Sequence, residues 1–405
     1  MDLKGDLKNL MSTNHIVKDG HHYTIPSPGT YPYQWLWDSC FHAIIFIRLN
    51  MISIAKEELL AAVYKQFSNG LLPHIIYWQK LPFSTFHDIT WGKPDTSSIT
   101  QPPIIAYAVK RIFDKDKDIN FVNQIYPYLS KYYMYLLKKR DARSHHLVSI
   151  INPDESGEDN SPRFDISLGL PSRHDQKENF RRRLSLIDKN LKCNFDEITC
   201  MRNIFWVKDV PFNALLTENL KILAELAQLI HDEKENFWKD EAALVESAMR
   251  KYMFEDGVFW SVYGDNYTKI KAKTWAIFAP LFAGLYSQQE ADEVINKYLL
   301  NKNEFSTQYM VPSTSKSDAA YEPNGFWRGP VWMATNWFIY KGLLRYSKKE
   351  EARKICKASI DLLKKSGFRE QFNPETGEGY GANDFTWSGL VLDMDICDPD
   401  SQNAR

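Results

Sequence analysis

Between Asn152 and Asp165 the chain reads NPDESGEDNSPRFD, placing Asp154, Glu155, Glu158, Asp159 and Asp165 in one short stretch. A Gly and a Pro interrupt it, so a regular helix is not expected there. A second stretch, GFREQFNPETGEGYG, alternates Glu370, Glu375 and Glu378 with Gly and aromatic residues. Motifs for other chemistries are missing: there is no GxSxG, no GxxxxGK[ST], no GxGxxG after a strand and no HExxH. The pairs His21–His22 and His145–His146 lack ligand spacing, and Cys40, Cys193, Cys200, Cys356 and Cys397 form no CxxC. Neither a metal site nor a disulfide framework is suggested, and no cofactor is expected. What remains is proton transfer by carboxylates. Hydrolysis of a glycosidic bond needs two of them, an acid for the leaving oxygen and a base or nucleophile on the opposite face. The acid must keep its proton near neutral pH, which like charges and partial burial favour. The first stretch supplies that environment for one member, and the second stretch can supply the partner.

Composition narrows the partners. Fifty Lys and Arg balance 51 Asp and Glu over 405 residues. A neutral chain is poorly suited to nucleic acid or an anionic membrane, both of which need a basic excess. The one basic concentration, Lys177–Lys192, reads as a solvated helix face. The first residues lack an apolar signal core, and no stretch approaches a membrane span. Scattered cysteines fit a reducing compartment, so a soluble cytoplasmic protein is expected. Aromatic residues make up 14% of the chain, with 12 Trp and 21 Tyr. Many Trp sit beside Gly, Pro and charges, as in YPYQWLWDSCFH, GFWRGPVWMATNW and NDFTWSG. That placement suits a wall that stacks on sugar rings.

Helical periodicity must position these residues. Amphipathic segments run over Ile52–Phe67, Ile104–Phe113, Phe121–Lys138, Phe212–Ile230, Glu235–Phe254, Thr274–Tyr286, Gln289–Leu300, Val331–Tyr346 and Lys349–Ser366. Further helices are expected at His42–Leu49, in the basic segment and after Asp384, while GVFWSVY (Gly257–Tyr263) suits half of a hairpin. About a dozen helices without a dividing linker point to an all-α ring of helical hairpins, an (α/α)6 toroid, forming one domain over residues 1–405. The turn-rich segments would then gather as loops over one end. Ser172–Cys200, long and charged, is a candidate lid and equally an ordinary surface insertion.

The segments PYQWLWDSCFH, ITQPP, ESGEDNSPRFD, GFWRGPVWMATNW and EQFNPETGEGYGANDFTWSG, in this order from about Tyr31 to Leu392, together resemble glycoside hydrolase family 63 and its trehalase-like relatives. The likeness includes small members similar to mannosylglycerate and glucosylglycerate hydrolases. The resemblance implies an (α/α)6 barrel and inverting hydrolysis of a small α-linked glucoside or mannoside, without metal or organic cofactor. Carried onto this sequence, it makes Asp159 of ESGEDNS the general acid and Glu370 of EQFNPETG the general base. Trp37 and Asp38 become a stacking wall and a hydroxyl ligand, and Gln101 and Asn160 further hydroxyl partners. Arg328 would engage substrate or the base, with Trp327, Trp332 and Asn336 on the same wall and Trp387 closing the pocket.

Several of these residues have structural alternatives. Asp38 also suits a helix cap near Ser39, Arg328 a partner for a buried carboxylate, and Trp332 and Trp337 a helix core. Glu155 rivals Asp159, and Glu378 and Asp384 rival Glu370. Many relatives carry an aromatic before ESG and an apolar residue before the catalytic Asp, where this chain has Asp154 and Glu158. Two extra acids there are expected to raise the acid's pKa or to repel an anionic substrate. A sugar epimerase on the same toroid would need His bases, for which His42 and His74 are the candidates. A binding protein that keeps the pocket without turnover is the third reading.

Overall fold

The computed structural model describes residues 2–79 and 89–395. Its framework comprises α1 (Leu3–Asn14), α2 (Leu36–Arg48), α3 (Ile52–Tyr64), α4 (Ile105–Asp116), α5 (Ile119–Lys139), the one-turn α6 (Asp165–Leu168), α7 (Gln176–Lys192) and α8 (Glu197–Asn203). There follow α9 (Val210–Leu229), α10 (Glu235–Tyr252), α11 (Ala279–Ala283), α12 (Gln288–Val294), α13 (Met333–Arg345) and α14 (Lys349–Ser366). A 3-10 helix, Thr386–Asp393, comes last.

Burial sorts these into two rings. Helix α2 is buried at every position from Leu36 to Ile47, and α9 along nearly its whole length. A helix apolar on all sides belongs inside. By contrast α14 buries only a stripe, with Ala352, Ile355, Ser359 and Leu362 among its members. The inner ring runs α2 to α4 to α9 to α11 to α13 to Thr386–Asp393, which packs back on α2 and closes the circle. Outside, α1 lies on Thr386–Asp393, α3 on α2, α5 on α4, α10 on α9 and α14 on α13. Helix α12, continuing into Ile295–Leu299, follows α11. The architecture is an (α/α)6 barrel.

Most segments lie within a few residues of the periodicity, and the exceptions have local causes. Thr274–Tyr286 is not one helix: a 3-10 turn over Trp275–Phe278 leads into α11, which Gly284 ends in the left-handed region. The helix expected to Leu300 changes to a π turn at Ile295. Helix α1, for which the periodicity gave no sign, is capped by the Asp2 side chain and buries Leu7 and Met11. The expected hairpin forms: Ser261–Tyr263 pairs antiparallel with Thr268–Ile270 and also with Val207–Lys208 just before α9. Cys40, Cys193 and Cys200 are free thiols, but Cys356 is disulfide-bonded, which corrects the reading of all cysteines as free. Cys397 lies outside the described residues. Among the described residues no helix is long and apolar enough to cross a membrane.

Candidate active site

The motif loops share one topological position. Gln34–Trp35 leads into α2, Gln101 precedes α4, Asp159 lies between α5 and α9, Trp327–Trp332 leads into α13, and Phe385 precedes the last inner segment. They therefore collect at the N-terminal ends of the inner ring. There they enclose a cavity of about 280 Å³, near the lower end for small-molecule sites. Its walls include both Asp159 and Glu370.

Glu370 stands on Arg369–Phe372, paired with Gly379–Asn383. Its Oε1 accepts from Tyr31 Oη at 2.7 Å, and its Oε2 accepts from the Ala382 amide at 2.8 Å. Gly381, at φ +69°, leaves room for it, since a Cβ there would overlap the carboxylate. Burial pushes Glu370 up to about 7, against the two hydrogen bonds and with further lift from Asp159 and Asp38. A group so poised is suited to accept a proton near neutral pH.

Asp159 sits on a loop built by local contacts. Asn152 accepts from the Asp154 amide at 3.0 Å and starts a 3-10 turn over Pro153–Ser156. Gly157 then turns the chain at φ +72°, with its Cα so close to Trp37 that a Cβ would lie 2.5 Å from the indole. Only glycine fits that conformation against that ring. Asp159 is half-buried and pairs with the Arg183 guanidinium from α7, which also holds Asp154. Burial lifts the Asp159 carboxyl, Arg183 draws it down and Asp154 pushes it up again.

Trp327 and Trp332 stack in parallel with ring centroids 3.6 Å apart, and Trp387 meets Trp332 edge-on at 5.5 Å. Trp37 lies against Trp387 at 5.9 Å. The Trp387 indole donates to the Glu370 carbonyl at 3.2 Å, tying the aromatic wall to the carboxylate strand. Asp38, in the first turn of α2 rather than at its cap, lines the cavity. Its Oδ1 is buried without a hydrogen-bond partner among the described residues, and burial pushes the carboxyl up to about 7. Gln101 also lines the cavity and accepts from the Trp37 amide at 3.1 Å.

The other expected site residues lie behind the walls. Asn160 accepts from the Trp327 amide at 2.9 Å and donates to the Gly325 carbonyl at 3.3 Å, joining the Asp159 loop to the GFWRG loop. Arg328 points away from the cavity and forms a bidentate pair with buried Asp165 at 2.8 and 2.9 Å. Asn336 is spent on the Met310 carbonyl and the Val311 amide. Trp337 is core, donating to Asp393 at 3.0 Å, whereas Trp332 is wall.

The rivals separate cleanly. Glu155 is fully buried in a bidentate pair with Arg140 and accepts from the Thr100 and Ile151 amides. Glu378 and Asp384 are exposed. Glu158 faces away from the cavity, where Arg163 clamps both its oxygens at 3.0 Å and Trp275 donates at 2.8 Å. Of the two extra acids only Asp154 reaches the cavity, and there Arg183 partners it. The expected repulsion of an anion is therefore largely cancelled.

Sequence reasoning named His74 but not several other lining residues: Tyr31, Trp35, Trp91, Phe180 and Arg183. His74 is held neutral, burial driving it down to about 3. That makes it a weak base although it lines the cavity, and His42 is buried between Thr386 and Glu58, off the cavity wall. Arg183 was hidden in the basic run, which is not uniformly solvated. Arg181 and Arg182 are exposed, but Arg183 shares a face with Ile187, which packs in a buried apolar cluster.

Comparisons with known proteins agree with this fold. Residues 31–388 match the family model of the mannosylglycerate hydrolase MGH1-like glycoside hydrolase domain. A mannosylglycerate hydrolase of Thermus thermophilus is 32% identical over 91% of this chain and 95% of its own length. A glucosylglycerate hydrolase of Mycolicibacterium hassiacum is 25% identical over 91% and 93%. The crystal structure of a family 63 mannosylglycerate hydrolase from Thermus thermophilus with Tris and D-glycerate superposes at TM-score 0.88 and 31% identity, covering 97% of this chain and 99% of that one.

Proposed function

The chain belongs to the mannosylglycerate hydrolase MGH1-like glycoside hydrolases of family 63, and from that premise we propose that it hydrolyses an α-mannosyl- or α-glucosyl-glycerate with inversion. The observation that carries the reading is the cavity's charge pattern. Four carboxyl groups, Asp38, Asp154, Asp159 and Glu370, line it together with Arg183, which among the described lining residues is the one cation at neutral pH. A small aglycone that bears a carboxylate matches Arg183, whereas a neutral disaccharide leaves it without a substrate partner.

The sugar stacks among Trp37, Trp327, Trp332 and Trp387, and Asp38 and Gln101 take its hydroxyls. Glu370 removes a proton from a water as the water oxygen bonds to the anomeric carbon. The bond from that carbon to the glycerate oxygen breaks, and Asp159 delivers its proton to the departing oxygen. Glu370 then returns its proton to solvent, and Asp159 is reprotonated for the next turn. Inversion requires the two carboxyl groups to stand about 6.5–9.5 Å apart, with the water between one of them and the sugar.

The test is hydrolysis of mannosylglycerate and glucosylglycerate beside the corresponding glycosyl-glycerols, trehalose and simple α-glycosides. The glycerates are expected to be cleaved far faster than the neutral glycosides, and Asp159→Asn to lower turnover by about 10²–10⁴. Equal rates on glycerate and glycerol conjugates would remove the carboxylate from the specificity.

A further inference from the structure

Arg183 does two jobs at once. Its Nε and Nη2 hold Asp154, and its Nη1 pairs with Asp159 Oδ2. Phe180, one turn earlier on α7, lies beneath the guanidinium at 6.0 Å. A further carboxylate arriving at Arg183 meets a guanidinium whose Nε–Nη2 edge is already filled by Asp154. The position open to competition is the Nη1 side, which Asp159 occupies. Three carboxylates then share one cation.

The remaining titratable groups do not relieve that excess. Glu370 and its partner Tyr31 line the same cavity, and Asp38 adds a further carboxyl from α2. His74, which senses both Asp154 and Arg183, is neutral, and the Arg163 cation behind the loop is committed to Glu158 and Asp209. Of the groups in contact with Arg183, Asp159 is the one that the proposed mechanism needs in protonated form.

We propose that recognition of the substrate's carboxylate by Arg183 releases Asp159 and loads it with a proton from solvent, so that binding the anion is what arms the general acid. The inference rests on the glycosyl-glycerate reading and adds a coupling to it. The step balances simply: one solvent proton joins Asp159 Oδ2 as the anion binds, and it leaves on the aglycone oxygen when the glycosidic bond breaks. Asp159, ionised again, then competes for Arg183 and helps to expel the glycerate. Asp154 keeps Arg183 in place throughout. A neutral glycoside of the same shape leaves the Asp159–Arg183 pair intact and meets an unarmed acid. Linkage makes this measurable, since a group whose pKa rises on binding takes up protons between its free and bound values.

The experiment is calorimetric titration of intact glycosyl-glycerate into the inactive Glu370→Gln variant, from pH 5 to 9, in buffers of different ionisation enthalpy. Up to about one proton should be taken up per ligand, with affinity falling up to about tenfold per pH unit across that window. Adding Asp159→Asn should keep binding but abolish both uptake and pH dependence. The matching glycosyl-glycerol should bind without uptake. D-Glycerate titrated into the wild type gives the same readout on the unaltered protein. Binding without uptake at any pH, or uptake that survives Asp159→Asn or accompanies the neutral ligand equally, would overturn the coupling. A wild type that neither binds nor cleaves the glycerates would overturn the underlying reading instead.

Discussion

At the scale of single residues, the site consists of carboxylates held where ionisation is costly. Glu370 shows the consequence most simply. Its folded-state pKa is raised by burial to about 7, so the folded state binds its proton more tightly than the unfolded chain does. The group's contribution to stability is present below its unfolded value and is lost as pH rises through about 7. Glu370→Gln, neutral at every pH, escapes that loss. Relative to the wild type, the variant should gain up to about 3 kcal/mol between pH 4.5 and 8. Its amide offers one acceptor oxygen where the carboxylate offers two, so it cannot accept from both the Ala382 amide and the Tyr31 hydroxyl, which subtracts about 1 kcal/mol at all pH values. Urea denaturation at the two pH values checks this, and a constant difference would contradict it. Little of this was legible beforehand. Glu370 and Asp159 could be singled out because motif order set them apart from Glu155 and Glu378. The Arg140 and Arg163 partners that retire Glu155 and Glu158 come from distant stretches or from the turn itself, so sequence neighbourhood alone overstated the crowding.

At the scale of elements, five of the six inner segments, α11 being the exception, follow a connection that carries side chains into the cavity. That rule explains why the informative residues sit beside turn formers. Gly157 is the sharpest case, since Gly157→Ala sets a methyl against Trp37 in a backbone conformation costly for any other residue. Strain and overpacking together should lower stability by about 2–4 kcal/mol. Because that methyl also shifts Trp37 and the Asp159 loop, activity should fall by more than the loss of folded protein. Thermal melts and turnover at a temperature where both proteins remain folded separate the two effects. Periodicity made most of the helices legible because apolar stripes and caps are local. It could not reveal that Arg183 faces inward on α7, for a single arginine on a part-buried stripe is outvoted by its exposed neighbours Arg181 and Arg182. Arg328 erred in the other direction: an arginine in a site motif proved to brace Asp165 behind the wall.

At the scale of the whole molecule, the ring must close for Asp159 and Glu370 to line one cavity. Asp393, fully buried in the last inner segment, accepts from Trp337 of α13 and pairs with Lys341 of α13 and Arg111 of α4. Asp393→Leu strands both cations and should cost about 3–5 kcal/mol, read as a lowered denaturation midpoint, with activity intact in the fraction that remains folded. The closed ring of hairpins was legible from helix number and the lack of a linker. The last helix, expected after Asp384, is present as Thr386–Asp393, but its 3-10 form and α1 as its outer partner were not legible, because both are short and weakly periodic. The central claim belongs to this scale too, since only a closed barrel fixes the gap between Asp159 and Glu370. Proton NMR of a fresh digest of an α-glycosyl-glycerate tests it most directly. The β-anomer of the free sugar should appear first, and the α-anomer only later by mutarotation. Appearance of the α-anomer first would mean retention and would contradict it.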